Sequence, residues 1–193
     1  LALTDDDEIQ PALLSENLKV VSIAFLLRSD QDAVIWRGPR KYHLIRQFLS
    51  DVAWGRLGWL VVDSPPGTGD VPLSVAQMAG QGSSAVIVTT PQDVAVDDVR
   101  RCVGFCRHLS LPVAGIVENM SGLICPHCGR QTAPFKTGGG ERLAAEMGVP
   151  MLGRIPLDPQ IVTSGDSGRP FAIREAGTPA GQAFAGIVRA LLR

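Results

Sequence analysis

The chain has 193 residues, 45% of them hydrophobic, and a formal net charge of −1. That suffices for one domain with a substantial core, and it gives no electrostatic case for nucleic acid or an anionic membrane as partner. The longest apolar stretches, such as Val20–Leu27, are too short to span a bilayer, the acidic run Thr4-Asp-Asp-Asp-Glu8 stands where a secretory leader would be basic, and the 4 cysteines point to reduced or metal-bound thiols in the cytoplasm.

In chain order, Lys19–Leu27 reads as a strand. Tyr42–Val52 reads as a helix with Leu44, Ile45, Phe48 and Leu49 on one face. Trp59-Leu-Val-Val-Asp63 has the pattern of a buried strand ending in an acid, and Val71–Met78 that of a short helix. Ser84–Thr90 is a further strand. Thr90-Pro-Gln-Asp93 then opens a helix to about Leu109, with Thr as N-cap, Pro in the first turn and an acid at N3. Pro112–Glu118 is the next strand. Glu141–Met147 reads as a helix, Met151–Ile155 as a strand and Gly181–Leu192 as a closing helix. Strands separated by helices predict an α/β fold: a mostly parallel sheet with helices on both faces, in a single domain over residues 1–193. Ligands of such sheets bind beyond the carboxyl ends of the strands, where Asp63, Pro91, Asn119 and Pro156 fall.

Cys125 and Cys128 sit in Met120-Ser-Gly-Leu-Ile-Cys-Pro-His-Cys-Gly129. Two thiolates two residues apart are half of a closed metal site, which needs about four ligands. The chain has no second CxxC, so two copies meeting at a twofold axis would supply the missing pair. A zinc knuckle is an alternative, and so is a thioredoxin-like redox pair, although the latter normally opens a helix directly after a strand. His127 reads as a solvent-facing loop residue. Cys102 and Cys106, four apart beside Val99 and Val103, read as small apolar residues on the buried face of a helix.

Asp63 precedes the loop Ser64-Pro-Pro-Gly-Thr-Gly-Asp70. A carboxylate at a strand end can hold Mg²⁺ through its water shell, and the glycines allow backbone to approach a phosphate. The bland reading is an ordinary strand ending in a Pro/Gly turn. No G-x-x-x-x-G-K-[ST] phosphate loop occurs in the 193 residues. Thr137-Gly-Gly-Gly-Glu141 lacks the following Lys-[ST] and reads as a flexible connection into a helix. Arg37 and Lys41 read as solvated charges.

The string Trp54-Gly-Arg-Leu-Gly-Trp-Leu-Val-Val-Asp-Ser-Pro-Pro-Gly-Thr-Gly-Asp70 resembles the signature of the Mrp-type iron–sulfur carrier ATPases, in the MinD-like, deviant-Walker branch of P-loop NTPases. The resemblance extends through Ala33-Val-Ile-Trp-Arg-Gly-Pro39, Val117-Glu-Asn-Met-Ser121, Pro156-Leu-Asp-Pro159 and Gly165-Asp-Ser-Gly168, and covers about residues 18 to 193 in the family's order. It implies a cytosolic carrier that binds ATP with Mg²⁺ and passes a [4Fe–4S] cluster to apo iron–sulfur proteins. The cluster would be shared across a homodimer through Cys125 and Cys128. Asp63 would be the Walker B residue, Gly67, Thr68 and Gly69 the switch loop near the γ-phosphate, and Asn119 the reader of the adenine edge, with Pro156 at the same ligand-binding edge. The family's phosphate loop and first switch lie N-terminal to everything here, so the chain reads as lacking the first βαβ unit. Gly58 stands where the signature usually has Asp. A non-hydrolysing dimer holding Zn²⁺ or an iron–sulfur cluster is the alternative. A MinD-type partitioning ATPase is disfavoured by the cysteine pair and by the absence of a C-terminal amphipathic membrane helix.

Overall fold

A computed structural model describes residues 3–4, 7–27, 38–125 and 128–192. Arg37, with most of the Ala33–Pro39 motif, and Pro126 and His127 of the cysteine loop lie outside the described residues. The chain divides into two compact units, Leu1–Ala79 and Gly80–Arg193.

In the first unit, β1 (Ala12–Ser15) and β2 (Leu18–Val20) form an antiparallel hairpin with Ala12 opposite Val20. The expected Lys19–Leu27 strand therefore stops at Val20. Ser22 breaks it: its hydroxyl accepts from the Ala24 N–H and caps a 3₁₀ turn over Ile23–Leu26. Helix α1 (Gly38–Ser50) begins at Gly38-Pro39, where the missing proline N–H costs nothing, and turns Leu44 inward. Ile9 bridges to Val52 beyond its end, and the Lys19 ammonium donates to the Trp54 carbonyl at 2.6 Å. Helix α2 (Asp70–Met78) packs on α1.

Between them, Trp59–Asp63 is not a strand. Trp59 is 66% and Val61 86% exposed, and among the described residues the run belongs to no ladder. Its β-branched apolar composition favours extended backbone, but a strand exists only where a neighbour takes up its N–H and C=O groups. A sequence window shows the first condition and not the second.

The second unit is a parallel sheet in the order β3 (Ala85–Thr89), β4 (Val113–Glu118), β7 (Met151–Arg154). Helix α3 (Asp93–His108) connects β3 to β4. The path from β4 to β7 runs through a small hairpin, β5 (Leu123–Ile124) with β6 (Gln131–Thr132), and then α4 (Gly139–Met147). Helices α5 (Pro159–Asp166), α6 (Phe171–Arg174) and α7 (Pro179–Leu191) complete the unit. The parallel α/β architecture with helices on both faces is thus as expected. The first turn of α3 differs: its N-cap is Gln92, with Thr90-Pro91 in the preceding turn.

Alternation along β4 decides the two cores. Ile116 points to one face, where Ile87, Val96, Val103, Cys106, Leu143 and Ala144 bury it under α3 and α4. Val117 points to the other, against Ile155, Phe171, Ala180 and Ile187 under α6 and α7. Cys106 is 5% exposed and Cys102 packs against the same cluster, so the pair is core as expected. Burial, then the neighbouring Cys102, pushes the Cys106 thiol pKa up, which disfavours the thiolate a metal would need. Among the described residues no helix is long and apolar enough to cross a membrane.

Candidate functional site

The strands of the second unit end together, and their loops build one edge. Thr89-Thr90-Pro91 follows β3, Asn119 follows β4 and Pro156 follows β7. Asn119 N–H donates to the Thr89 carbonyl at 2.7 Å, and its side-chain Oδ1 accepts from Met120 N–H at 2.9 Å. Met120 lies in the left-handed region, φ 56°, where the chain turns out of the sheet. Ser121 N–H then donates to the Ile155 carbonyl at 2.9 Å and Leu157 N–H to the Gly122 carbonyl at 2.7 Å. The β4 and β7 ends are thereby tied on both sides of the turn.

The cysteine pair occupies the tip of the β5–β6 hairpin, an element the sequence reading did not include. Cys125 N–H donates to the Arg130 carbonyl at 3.0 Å, and Gly129 N–H donates back to the Cys125 carbonyl at 2.9 Å. Cys125 is half-buried and Cys128 exposed. Among the described residues no group of three or more His, Cys, Asp or Glu is arranged to hold a metal ion. Below the hairpin lies an open cavity of about 280 Å³, lined by Ser121, Ile124, Gln131, Thr137, Arg154 and Pro156 among others. Pro156 thus shares a cavity with the residue preceding Cys125.

Asp63, Gly67, Thr68 and Gly69 belong to the first unit. All four are exposed. Gly67 takes φ 89°, which a side chain would resist, and Gly69 is the N-cap of α2 without a side-chain cap bond. The loop therefore presents backbone to solvent at a helix start. Lys41 is exposed on α1.

Glu118 is the residue of this region that sequence reasoning passed over. It is fully buried at the end of β4. Its Oε1 accepts from the Ser121 hydroxyl and from Gly138 N–H at 2.9 Å, and its Oε2 accepts from Gly140 N–H at 2.6 Å. The signal was available: an acid closing the apolar strand Val113–Glu118 needs buried donors, because an unpaired charge there is costly. Thr137–Glu141 is accordingly no loose connection. Gly138 adopts φ 82°, and a Cβ on Gly139 would lie 2.5 Å from the Pro91 carbonyl oxygen.

Burial pushes the Glu118 carboxyl pKa up, but the Ser121 hydroxyl, the Gly138 and Gly140 N–H groups and the Arg154 charge outweigh it, and the pKa falls below the ordinary glutamate range. A depressed folded pKa contributes stability above the unfolded value, about 4.3, and loses it as pH falls through the folded value. Urea unfolding between pH 7 and pH 3 is expected to show the gap between the unmodified chain and Glu118→Gln narrowing toward acid. A gap constant down to the acid limit would show that Glu118 carries no proton-linked stability.

A family model described as ParA: NUBPL iron-transfer P-loop NTPase matches residues 2–192. The cytosolic Fe-S cluster assembly factor NUBP2 homolog of Nematostella vectensis is 49% identical over 175 residues, which cover 90% of this chain and 65% of that protein. Among solved structures, a nucleotide-binding protein from Archaeoglobus fulgidus in complex with ADP matches with TM-score 0.72 and 37% identity, over 87% of this chain and 64% of that one. The Pyrococcus furiosus cell division ATPase MinD matches with TM-score 0.57 and 23% identity, over 79% of this chain and 57% of that one, a likeness of fold. The chain thus spans 65% of the curated relative's length.

Proposed function

From the premise that this chain belongs to the ParA family of NUBPL-type iron-transfer P-loop NTPases, we propose that it acts in an ATP-dependent carrier that holds an iron–sulfur cluster between two subunits and passes it to apo-proteins in the cytoplasm. The observation that carries this reading is the Cys125/Cys128 pair at the tip of a hairpin on the ligand-binding edge of the sheet. The cluster is cargo. The chemistry of the donor set fits it: two thiolates per chain, one exposed and one half-buried, reachable by a second copy. A [4Fe–4S] cluster takes four thiolates, which a homodimer supplies. The names of the relatives support the reading: one is a cytosolic Fe-S cluster assembly factor homolog, another a nucleotide-binding protein in complex with ADP.

For the nucleotide, we assign Asp63 to the Mg²⁺ water shell and Gly67, Thr68 and Gly69 to the γ-phosphate side. Exposed backbone at the start of α2 suits a phosphate contact. Asn119 would meet adenine through its amide, beside Pro156. The 193-residue polypeptide contains no lysine-bearing phosphate loop, the nest that neutralises phosphate charge in this class. It is therefore expected to bind ATP weakly and to hydrolyse it at the background rate. Phosphate release by the purified chain is the measurement, and robust turnover that vanishes in Asp63→Ala would overturn the expectation.

The tight turn from Cys125 to Gly129 also suits a zinc knuckle. In that second reading the chain is a non-hydrolysing dimer. Iron, sulfide and zinc content per chain after anaerobic reconstitution separates the two.

A further inference from the structure

The hairpin that bears Cys125 and Cys128 leaves the body of its unit at Ser121 and returns at Gly138. Its strands are two residues each, far too short to hold a hairpin in place unaided. Its placement comes from its ends and from the backbone bridge between Leu123 of β5 and Leu157. Both ends meet one side chain. The Ser121 hydroxyl and Gly138 N–H donate to Glu118 Oε1, and Gly140 N–H donates to Oε2. Glu118 is itself immobilised at the end of the central strand, in register with Thr89 of β3 and Arg154 of β7. The glycines bring the return limb this close: a Cβ on Gly140 would stand 3.1 Å from the Glu118 Cβ.

We infer that Glu118 is the positioning residue of the cysteine hairpin, a carboxylate clamp that closes the base of segment 121–138 and so sets how the Cys125 and Cys128 thiols are presented. The inference rests on the reading of these cysteines as metal ligands. Its physical content is preorganisation. A cluster held by two chains needs all its thiolates in one geometry, and without the clamp the ordering of each hairpin would fall on the binding step. A carboxylate suits the task because it accepts at both oxygens, whereas every group it meets here is a donor.

The test uses the full chain, reduced and anaerobic, with Co²⁺ as probe. Thiolate-to-cobalt absorption reports cysteine coordination, and hydrogen exchange at the Cys125 amide reports the hairpin. Cys125→Ser is the control that removes the band. Glu118→Gln keeps the shape but turns an NH₂ group toward a donor. It is expected to weaken Co²⁺ binding about tenfold, the lower end of what losing outer-shell support costs metal sites, and to speed exchange at Cys125. Ser121→Ala removes one donor of the clamp and is expected to weaken binding about fivefold. A folded Glu118→Gln chain with unchanged affinity and unchanged Cys125 exchange overturns the proposal. Should Glu118→Gln not fold, Ser121→Ala decides, and unchanged values there overturn it. If the unmodified chain gives no cobalt–thiolate band, the metal reading fails. The clamp is then judged by exchange alone, and unaltered protection in the variants rejects it.

Discussion

Anaerobic reconstitution with iron and sulfide is expected to yield a brown dimer with one cluster for two chains, and Cys125→Ser or Cys128→Ser to abolish both the colour and the metal-dependent dimerisation. Ligand count sets this expectation. Each chain offers one exposed and one half-buried cysteine at the hairpin tip, and a [4Fe–4S] cluster takes about four thiolates. Replacing one thiolate by a hydroxyl removes two of the four in a homodimer, because both copies carry the change. The effect is expected to be all or none. Cys102 and Cys106 cannot substitute, since they face the core between α3 and the sheet. Cys102→Ala and Cys106→Ala should therefore leave cluster content and dimerisation intact. Iron and sulfide analysis with sedimentation is the measurement. A Cys125→Ser monomer that still binds a full cluster would reject the shared site. Tight, colourless Zn²⁺ binding that excludes iron would transfer the site to the zinc-knuckle reading.

Leu143→Ala is expected to cost about 2–5 kcal/mol of stability, a large part of what a domain possesses. Leu143 is fully buried on α4, in the cluster with Ile87, Val96, Val103 and Ile116. Truncation removes its transfer energy and leaves a cavity between helix and sheet that rigid β4 cannot collapse to fill. Val188, 52% exposed on α7, is the contrast. Val188→Ala should change stability by less than about 0.5 kcal/mol. Urea unfolding of the two variants measures both. A Leu143→Ala chain as stable as the unmodified one would mean that α4 does not seal this core.

The α4 helix that carries Leu143 also bounds the cysteine hairpin, so core and site share an element. Much of that element was legible. The apolar spacing of α3, α4 and α7 and the β-branched runs of β3 and β4 are local facts, and hydrophobic burial acts on them directly. The Cys-x-x-Cys spacing was legible because it is a local fact of the sequence. The tip geometry was not: β5 and β6 are two residues each, and no periodicity exists in so short a run.

What the sequence by itself determined is the alternation of β3, α3, β4, α4, β7 and α7, the core role of Cys102 and Cys106, and the Cys125-x-x-Cys128 spacing. Each follows from side chains a few residues apart. What only the tertiary structure decided is pairing. Trp59–Val62 has a strand's composition and, among the described residues, no ladder, because composition sets backbone preference while a ladder needs hydrogen-bond partners from outside the window. Lys19–Leu27 divides into a β2 strand and a 3₁₀ turn because the Ser22 hydroxyl competes for the backbone. Glu118 reads as one more strand-end acid until Gly138 and Gly140, at least 20 residues away, are brought onto its two oxygens. A buried charge is tolerable only where donors converge on it, and convergence is a property of the folded chain.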